Sequence, residues 1–284
     1  MSKVWFVTGA ARGIGAQVVK AALSVGDRVV ATGRDLQALD KAHFGYGERL
    51  LKLALDVADD AQAQRATAAA VAHFGRIDVL VNNAGYGQLG LFEENTPDEI
   101  ERQFSTNVYG TFNVTRAVLP VMRRQRSGHI FNVSAMGGVL GFPAGSIFCA
   151  SKFAVEGFSE SLALEVGQFG IHVTIVEPGF TRTDFLDGSS VRYGARRIAD
   201  YARYSGEVRS AYEEMNHLQA GDPARLALAL LKLACDPRAP LRFASGSDAI
   251  DLILDKLDTH ESEVRRWESL SMSVDQPVPT ARAA

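Results

Sequence analysis

The feature that most limits the fold is an apolar strand pattern that runs into a glycine-rich turn and then a helix pattern. Residues 4–8 (Val-Trp-Phe-Val-Thr) are typical of a strand buried on both faces, and residues 13–23 place apolar side chains at helical spacing. Three glycines occupy the turn between them: Gly9, Gly13 and Gly15. They allow a tight turn and close approach of a pyrophosphate, while the N–H groups of the first helical turn, with Ile14 at its centre, face the phosphates. The stretch therefore predicts a dinucleotide-binding β–α unit.

The end of the second strand predicts which dinucleotide binds. Residues 28–32 form the strand pattern, and NAD-preferring sites carry an acid after it that binds the ribose 2′-hydroxyl. Here Gly33 holds that position and Arg34 follows, and a planar, permanently charged guanidinium suits a 2′-phosphate. Asp35 leaves NAD open, because a one-residue shift would bring an acid to the ribose. A solvated surface arginine is the other interpretation of Arg34. We expect NADP(H).

Strand and helix patterns alternate along the rest of the chain. Further strand patterns cover 50–55, 77–81, 130–133, 171–176 and 241–244. Helix patterns cover 61–74, 98–122, 148–166, 223–234 and 249–257. Thr96 and Asp222 are suitable N-caps for two of these helices. This alternation, without an internal repeat or a long linker, predicts a single α/β domain with a Rossmann-like, doubly wound parallel sheet.

A second strand–loop–helix stretch runs from Gly128 to Lys152. The strand pattern ends at Ser134, a loop rich in glycine and proline follows, and a helix pattern starts at Ser146. Polar groups placed there would lie at the carboxyl end of a strand, where open α/β sheets bind ligands. Phe148 stands four residues before Lys152 in this stretch.

Taken together, these motifs resemble the short-chain dehydrogenase/reductase family over roughly residues 3–245. The glycine spacing of residues 8–15 is the family's variant, and Asn-Asn-Ala-Gly at 82–85 is a second hallmark. The family places a tyrosine four residues before its catalytic lysine and a serine thirteen residues before that tyrosine. Lys152 matches the lysine, but Phe148 occupies the tyrosine position and Ala135 the serine position. The frame of the catalytic site is present and two hydroxyls are missing.

The resemblance implies roles for further residues. Asp56 and Val57 would contact the adenine, and Arg12 corresponds to a basic residue common in NADP users. The nicotinamide end would be held by the following residues: Asn83, Ala84, Gly85, Lys152, Pro178, Gly179, Thr181 and Thr183. Asn107 matches an asparagine that bends its helix and holds a water beside the lysine. Residues 184–217 lose simple periodicity and correspond to the family's variable substrate lid.

The family reaction is hydride transfer between a carbonyl or alcohol and the nicotinamide, with the tyrosine donating a proton and the serine polarising the carbonyl. Loss of a general acid costs about 10²–10⁴ in rate, and loss of one oxyanion donor about 10²–10³. We therefore expect a chain that binds NADP(H) and reduces carbonyls poorly. Both changes remove one oxygen and keep the remaining shape, which we interpret as engineered removal of the tyrosine and serine hydroxyls. A natural cofactor-binding pseudoenzyme, or a reductase of a protonated substrate such as an imine, remains open.

Composition limits the remaining function classes. With 284 residues, 46% of them hydrophobic, the chain can bury one large core. A net charge of −3 gives no reason to expect nucleic acid or an anionic membrane as a partner. Cys149 and Cys235 stand in apolar patterns, typical of reduced thiols in a cytoplasmic protein, and no cluster has metal-ligand spacing.

The expected domain covers residues 1–270, and residues 271–284 are expected to form a loose tail because they lack an apolar pattern and contain two prolines. No signal segment or membrane span is expected, since no run approaches 18 apolar residues. The helices at 98–122 and 148–166 have long apolar faces, and the resemblance implies that these pair in a homodimer or homotetramer.

Overall fold

The structure, a computed structural model, describes residues 2–276 and contains a seven-stranded parallel sheet. The strands are β1 Val4–Val7, β2 Arg28–Gly33, β3 Leu50–Ala54, β4 Val79–Asn82, β5 Gly87–Leu89, β6 Gly128–Val133, β7 Ile171–Pro178, β8 Val191–Tyr193 and β9 Arg242–Ser245. The order in the main sheet is β3-β2-β1-β4-β6-β7-β9, whereas β5 and β8 form a separate parallel pair. The sheet order reverses between β1 and β4, which confirms the predicted doubly wound Rossmann-like fold.

Helices cover both faces of the sheet. They are α1 Gly13–Ser24, α2 Leu36–Ala42, α3 Asp60–Phe74, α4 Pro97–Phe104, α5 Gly110–Gln125, α6 Ser146–Val166, α7 Ala202–Met215, α8 Pro223–Leu233, α9 Ser247–Arg266 and α10 Glu268–Met272. One apolar layer joins β1, through Phe6, to the α3 and α5 face at Val114. The opposite layer joins Trp5 of the same strand to α1 and to Leu230 of α8. Alternate side chains of β1 thus enter two cores, which explains why all four of its residues are apolar and buried.

The helix ends follow the predicted signals at two places. Thr96 caps α4, and the Thr96 backbone N–H donates to Glu99 in return, with Pro97 in the first turn. Asp222 caps α8 through the N–H groups of the two residues after Pro223.

Three elements differ from the sequence expectation. The helix expected over 98–122 is interrupted by a π-helical segment, Ser105–Tyr109, before α5. The helix expected over 249–257 extends over 247–266, where polar residues form i,i+4 pairs such as Glu261–Arg265. The stretch 184–217 contains β8 and α7, which lacked a recognisable pattern because neither has a strong apolar face.

Residues 277–284, most of the expected tail, lie outside the described residues, and α10 ends at Met272. Between residues 2 and 276, no helix combines the length and the apolar character that crossing a membrane requires.

Candidate active site

The glycine turn after β1 is fastened to the segment after β4. Asn83 Nδ2 donates to the carbonyl oxygens of Thr8 (2.9 Å) and Gly9 (3.1 Å). Thr8 Oγ1 accepts from the backbone N–H groups of Asn83 and Ala84, both at 3.0 Å. Gly9 has φ +63°, and a Cβ there would lie 2.9 Å from Ala84 Cα. The two predicted motifs therefore form one rigid unit at the carboxyl edge of the sheet.

The N-terminus of α1 forms a cradle that fits a pyrophosphate. Its N-cap, Arg12, makes no side-chain capping bond, so the first-turn N–H groups at Gly13, Ile14 and Gly15 have no side-chain acceptor there. A Cβ on Gly15 would collide with the Gly9 carbonyl oxygen, so only glycine allows the helix to start this close to β1. Free N–H groups and the positive end of the helix dipole favour phosphate oxygens.

His43 supports the glycine turn through a long-range hydrogen bond that no sequence pattern indicated. The side chain is buried, and Nε2 donates to the Ala10 carbonyl oxygen at 2.7 Å. Burial lowers the pKa of His43, which keeps the imidazole neutral with its proton on Nε2. Because 33 residues separate the two partners, no local pattern could have identified the contact.

The charged residues considered for the ribose end of the cofactor, Arg34 and Asp35 after β2 and Arg12 before α1, have different surroundings. Asp35 Oδ1 accepts from the N–H groups of Gln37 (2.8 Å) and Ala38 (3.2 Å), so this acid caps α2. Arg34 is exposed, and within residues 2–276 it has no ion-pair partner. Arg12 instead donates to Ser189, through one guanidinium nitrogen to Oγ (2.7 Å) and through another to the carbonyl oxygen (3.0 Å). Arg34 is thus available for an anion, whereas Arg12 holds the segment before β8.

The segment after β3 is positioned by α5. Asp56 Oδ1 accepts from Ala58 N–H at 3.0 Å, which makes a local turn. Asn113 Nδ2 donates to the Val57 carbonyl oxygen at 3.0 Å, and Gly110 allows Val57 to pack directly against the helix backbone. Asn113 is a second supporting residue that sequence reasoning missed.

Asn107 lies within the π-helical segment and joins three parts of the site. Its Oδ1 accepts from Tyr86 N–H (3.2 Å), and its Nδ2 donates to the Tyr86 carbonyl oxygen (3.1 Å) and to Ser151 Oγ (3.2 Å). A Cβ on Gly85 would approach Asn107 Oδ1 to 3.1 Å. Ser151 is the neighbour of Lys152, so the Asn-Asn-Ala-Gly segment and the lysine helix are joined through Asn107.

Lys152 is buried, and its Nζ donates to the carbonyl oxygen of Val133 at 2.8 Å. Burial lowers the pKa of Lys152 to about 8, and the charge of Glu156 opposes that shift. The Phe148 ring centroid lies 5.8 Å from Nζ. The helix therefore brings Phe148 and Lys152 to one side, as their spacing predicts.

Phe148 belongs to an apolar cluster with Ala135 at its edge. Its ring lies 5.5 Å, centroid to centroid, from that of Phe185 in the lid segment. The other aromatic members of the cluster are Phe142, Tyr193 and Tyr212. Tyr212 Oη donates to the Pro143 carbonyl oxygen at 3.1 Å, and burial raises the pKa of Tyr212 to about 12. The side chains packed around Phe148 and Ala135 are thus mainly apolar and aromatic.

The loop after β7, which contains Pro178 and Gly179, is held by α9. Asp248 Oδ2 accepts from Phe180 N–H at 2.7 Å, and a Cβ on Gly179 would collide with this carboxylate. Thr181 forms a bridge with Gly221. Thr183 Oγ1 accepts from Phe185 N–H at 3.2 Å, and the Thr183 side chain lies 3.5 Å from where a Cβ on Gly13 would be. This loop therefore packs over the glycine turn, and Asp248 is a third supporting residue that the sequence did not indicate.

Two cavities are lined largely by residues of the stretch 184–217. One cavity of about 460 Å³ is lined by Tyr193, Arg197 and Arg209 together with part of α7, and a second of about 590 Å³ shares these three residues. Ser205 Oγ of α7 donates to the buried Glu94 at 2.8 Å, which ties the lid to the body of the domain.

Comparison with known proteins identifies the same family that the sequence motifs resemble. The family model described as short chain dehydrogenase matches residues 3–193. "Oxidoreductase BOA17" of Botryotinia fuckeliana is 37% identical over 96% of this chain and 99% of its own length. A "3-ketodihydrosphingosine reductase" of Bacteroides thetaiotaomicron is 36% identical over 86% of this chain and 88% of its own. The crystal structure of a short-chain dehydrogenase from Streptomyces avermitilis is 40% identical, with a TM-score of 0.90 over 97% of this chain and 100% of that one.

Related structures have been solved with nicotinamide cofactors. A Burkholderia phymatum short-chain dehydrogenase/reductase in complex with NAD matches with a TM-score of 0.77 over 99% of this chain and 98% of that one, at 24% identity, and shows the same fold. The structure "ElxO with NADP Bound" matches with a TM-score of 0.71 at 28% identity, over 86% of this chain and 97% of that one. Both forms of the cofactor therefore occur on this architecture.

Proposed function

The chain belongs to the short-chain dehydrogenase family, and on that premise we propose that it is an NADP(H)-dependent carbonyl reductase or alcohol dehydrogenase lacking two catalytic hydroxyls. One observation carries the proposal: a buried Lys152, joined to Asn107 through Ser151, faces a phenylalanine where a proton donor is needed. Ala135 lies at the edge of the same cluster. The frame for hydride transfer is complete except for the oxygens of these two side chains.

NADP(H) when bound supplies or accepts the hydride. The uncapped first turn of α1 would hold the pyrophosphate, and Arg34, which lacks a protein carboxylate partner in the described part of the chain, would hold the 2′-phosphate. Asp35 is occupied as the cap of α2, which supports the phosphate-bearing cofactor over NAD(H).

The residues beside the nicotinamide would bind and orient it. Lys152 would hold the ribose hydroxyls as an ammonium below about pH 8, and the threonines of the loop after β7, Thr181 and Thr183, would hold the carboxamide. Phe148 has no proton to give, and Ala135 has no hydroxyl to polarise a carbonyl. Binding is therefore retained while the protonation step lacks its donor. The apolar walls contributed by Phe142, Phe185 and their neighbours suit a hydrophobic carbonyl substrate.

The decisive experiment restores both oxygens. The double variant Phe148→Tyr/Ala135→Ser should reduce a panel of ketones and aldehydes with NADPH several orders of magnitude faster than the unmodified chain, because it gains both a general acid and an oxyanion donor. Adding Lys152→Met to the double variant is the matched control and should remove most of the gain. Steady-state kinetics at fixed NADPH measure the effect.

The competing function is a natural cofactor-binding pseudoenzyme, favoured by the close packing of Phe148 against Phe185. A double variant that binds NADPH and reduces no carbonyl would establish this alternative. Brisk reduction of imines by the unmodified chain would instead indicate a substrate that arrives protonated. Brisk carbonyl reduction by the unmodified chain would refute the proposed catalytic positions.

We also propose a cytoplasmic homodimer or homotetramer that pairs through α5 and α6. Large apolar side chains are exposed along this side, with Tyr109 56%, Phe153 46% and Leu164 84% accessible. Faces of this kind mark association surfaces. Light scattering at micromolar concentration should give a multiple of 30.7 kDa, and a purely monomeric mass would refute the assembly.

A further inference from the structure

An acidic pair that the proposed reaction does not use lies behind the catalytic lysine. Glu156 follows Lys152 by one helical turn on α6, and Glu177 lies on β7. Their side chains are only 7% and 3% exposed. Arg242 of β9 approaches both carboxyl groups with the same Nε atom, 3.5 Å from Glu156 Oε2 and 3.4 Å from Glu177 Oε1.

Two buried carboxyl groups that share one guanidinium cannot both carry charge without a large cost. Burial, and after it the neighbouring charge of Glu156, raises the pKa of Glu177 to about 7. Burial also raises the pKa of Glu156, but Arg242 and Lys152 both favour its charged form. The two carboxyl groups therefore titrate as a coupled pair, in which burial favours a single shared negative charge beside Arg242.

The surroundings contain few other charges. Ser134, at the end of β6, presents its hydroxyl toward Glu156, and Gly138 leaves room for both oxygens because a Cβ there would collide with Ser134 Oγ. Glu160, one turn further along α6, pairs with Arg242 from the exposed side at 3.2 Å. The Nζ atom of Lys152 donates to the Val133 carbonyl oxygen, and the neighbouring Ser151 accepts a hydrogen bond from Asn107.

We propose that Glu156 is a positioning residue whose carboxyl group, held together with Glu177 by Arg242, supplies the buried negative charge that keeps the Lys152 ammonium charged. A buried ammonium without such a partner tends to lose its proton. Glu156 is the carboxylate whose charge raises the pKa of Lys152 against the effect of burial. The inference rests on the proposed function only in giving that ammonium a cofactor to hold, since the charge state of Lys152 can be measured without cofactor.

The test is an NMR titration of the free protein carrying ¹³C-labelled lysine. The chain has seven lysines, and Lys152→Met identifies the signal of interest. In the unmodified chain the Lys152 signal should titrate near pH 8. Glu156→Gln should lower this midpoint by about one pH unit, the lower end of the range for losing an opposite charge nearby. Glu177→Gln removes the other carboxyl group that Arg242 contacts and should shift the midpoint less, because Glu177 lies on β7 and not on the lysine helix.

Glu160→Gln is the matched control, because Glu160 lies on the same helix and pairs with the same arginine but is exposed. This variant should leave the titration midpoint of Lys152 unchanged. An unchanged midpoint in a folded Glu156→Gln variant, or an equal shift in Glu160→Gln, would overturn the inference. If Glu156→Gln does not fold, Glu156→Asp decides instead: the midpoint should fall by a smaller amount, and no change refutes the role. Calorimetry with NADPH is a separate measurement, and absence of binding there would count against the proposed function alone.

Discussion

The two sides of the candidate site, the proposed cofactor cradle and the pocket beside Lys152, are built from different groups. The cradle consists of backbone atoms fixed by Asn83, Thr8 and His43 through hydrogen bonds of 2.7–3.1 Å. The pocket beside Lys152 depends on individual side chains, and those at positions 135 and 148 are hydrocarbon. A cradle made of backbone tolerates side-chain changes elsewhere, whereas chemistry that relies on single oxygens can be lost by removing two atoms.

The largest expected effect is the difference in carbonyl-reduction rate between restoring a hydroxyl at position 148 and restoring one at position 135. Phe148→Tyr alone should recover about 10²–10⁴ in kcat/KM for carbonyl reduction, because it restores a general acid one turn from an ammonium that lowers its pKa. Ala135→Ser alone should recover far less, since a polarising donor assists only when a proton donor is present. Equal gains from the two single variants, measured with the same ketone, would contradict this order.

A smaller effect distinguishes the arginines of the cradle. Arg34→Ala should weaken NADP(H) binding by about 1–3 kcal/mol, the range for hydrogen bonds to charged groups, and leave NAD(H) nearly unchanged. Arg12→Ala should discriminate less between the cofactors, because its guanidinium is engaged by Ser189. Calorimetric titration of both cofactors measures the difference. Tighter NAD(H) binding by the unmodified chain would remove the basis for the proposed preference.

The smallest effect concerns the rigidity of the turn. Gly9→Ala should cost about 1–3 kcal/mol of unfolding free energy and weaken both cofactors, since it combines a positive φ with a 2.9 Å contact to Ala84. Gly26→Ala is the control, with φ +87° and open space around the added methyl. It should cost about 1 kcal/mol at most and leave cofactor affinity intact. Chemical denaturation measures the unfolding free energy of both variants, and calorimetry measures their cofactor affinity. Identical effects of Gly9→Ala and Gly26→Ala would show that backbone strain alone, and not the contact with Ala84, causes the loss.

Local elements could be predicted from the sequence, whereas long-range contacts could not. The β1–α1 unit and the caps at Thr96 and Asp222 arise from local periodicity and from contacts within a few residues. The contacts of His43, Asn113 and Asp248 join residues 33 to 68 positions apart, and only the folded chain brings them together. Asn107 in the π-helical segment likewise bonds to Tyr86, 21 positions away, a contact that helix propensity does not predict.

The stretch 184–217, with its partner strand β5, was the region least predictable from the sequence. β5 and β8 contain three residues each, too few for a clear alternation, and their pairing joins segments about 100 residues apart. α7 has no buried residue, so its sequence lacks the apolar face that would have indicated a helix. The frame 135–148–152, by contrast, was recognised from the spacing of the family that the sequence resembles, and the structure places Phe148 and Lys152 on one helix.

The hydrogen bond from Phe180 to Asp248 makes the C-terminal part of the chain a structural neighbour of the loop after β7, the proposed nicotinamide loop. Asp248 lies in the first turn of α9, more than 50 residues beyond the part of the chain that the family model matches. A truncated protein or a chimera joined at residue 246 would keep every recognisable motif and lose the clamp on Gly179. Fragments of this fold chosen by motif boundaries alone would therefore carry an intact cradle whose nicotinamide loop is unfastened.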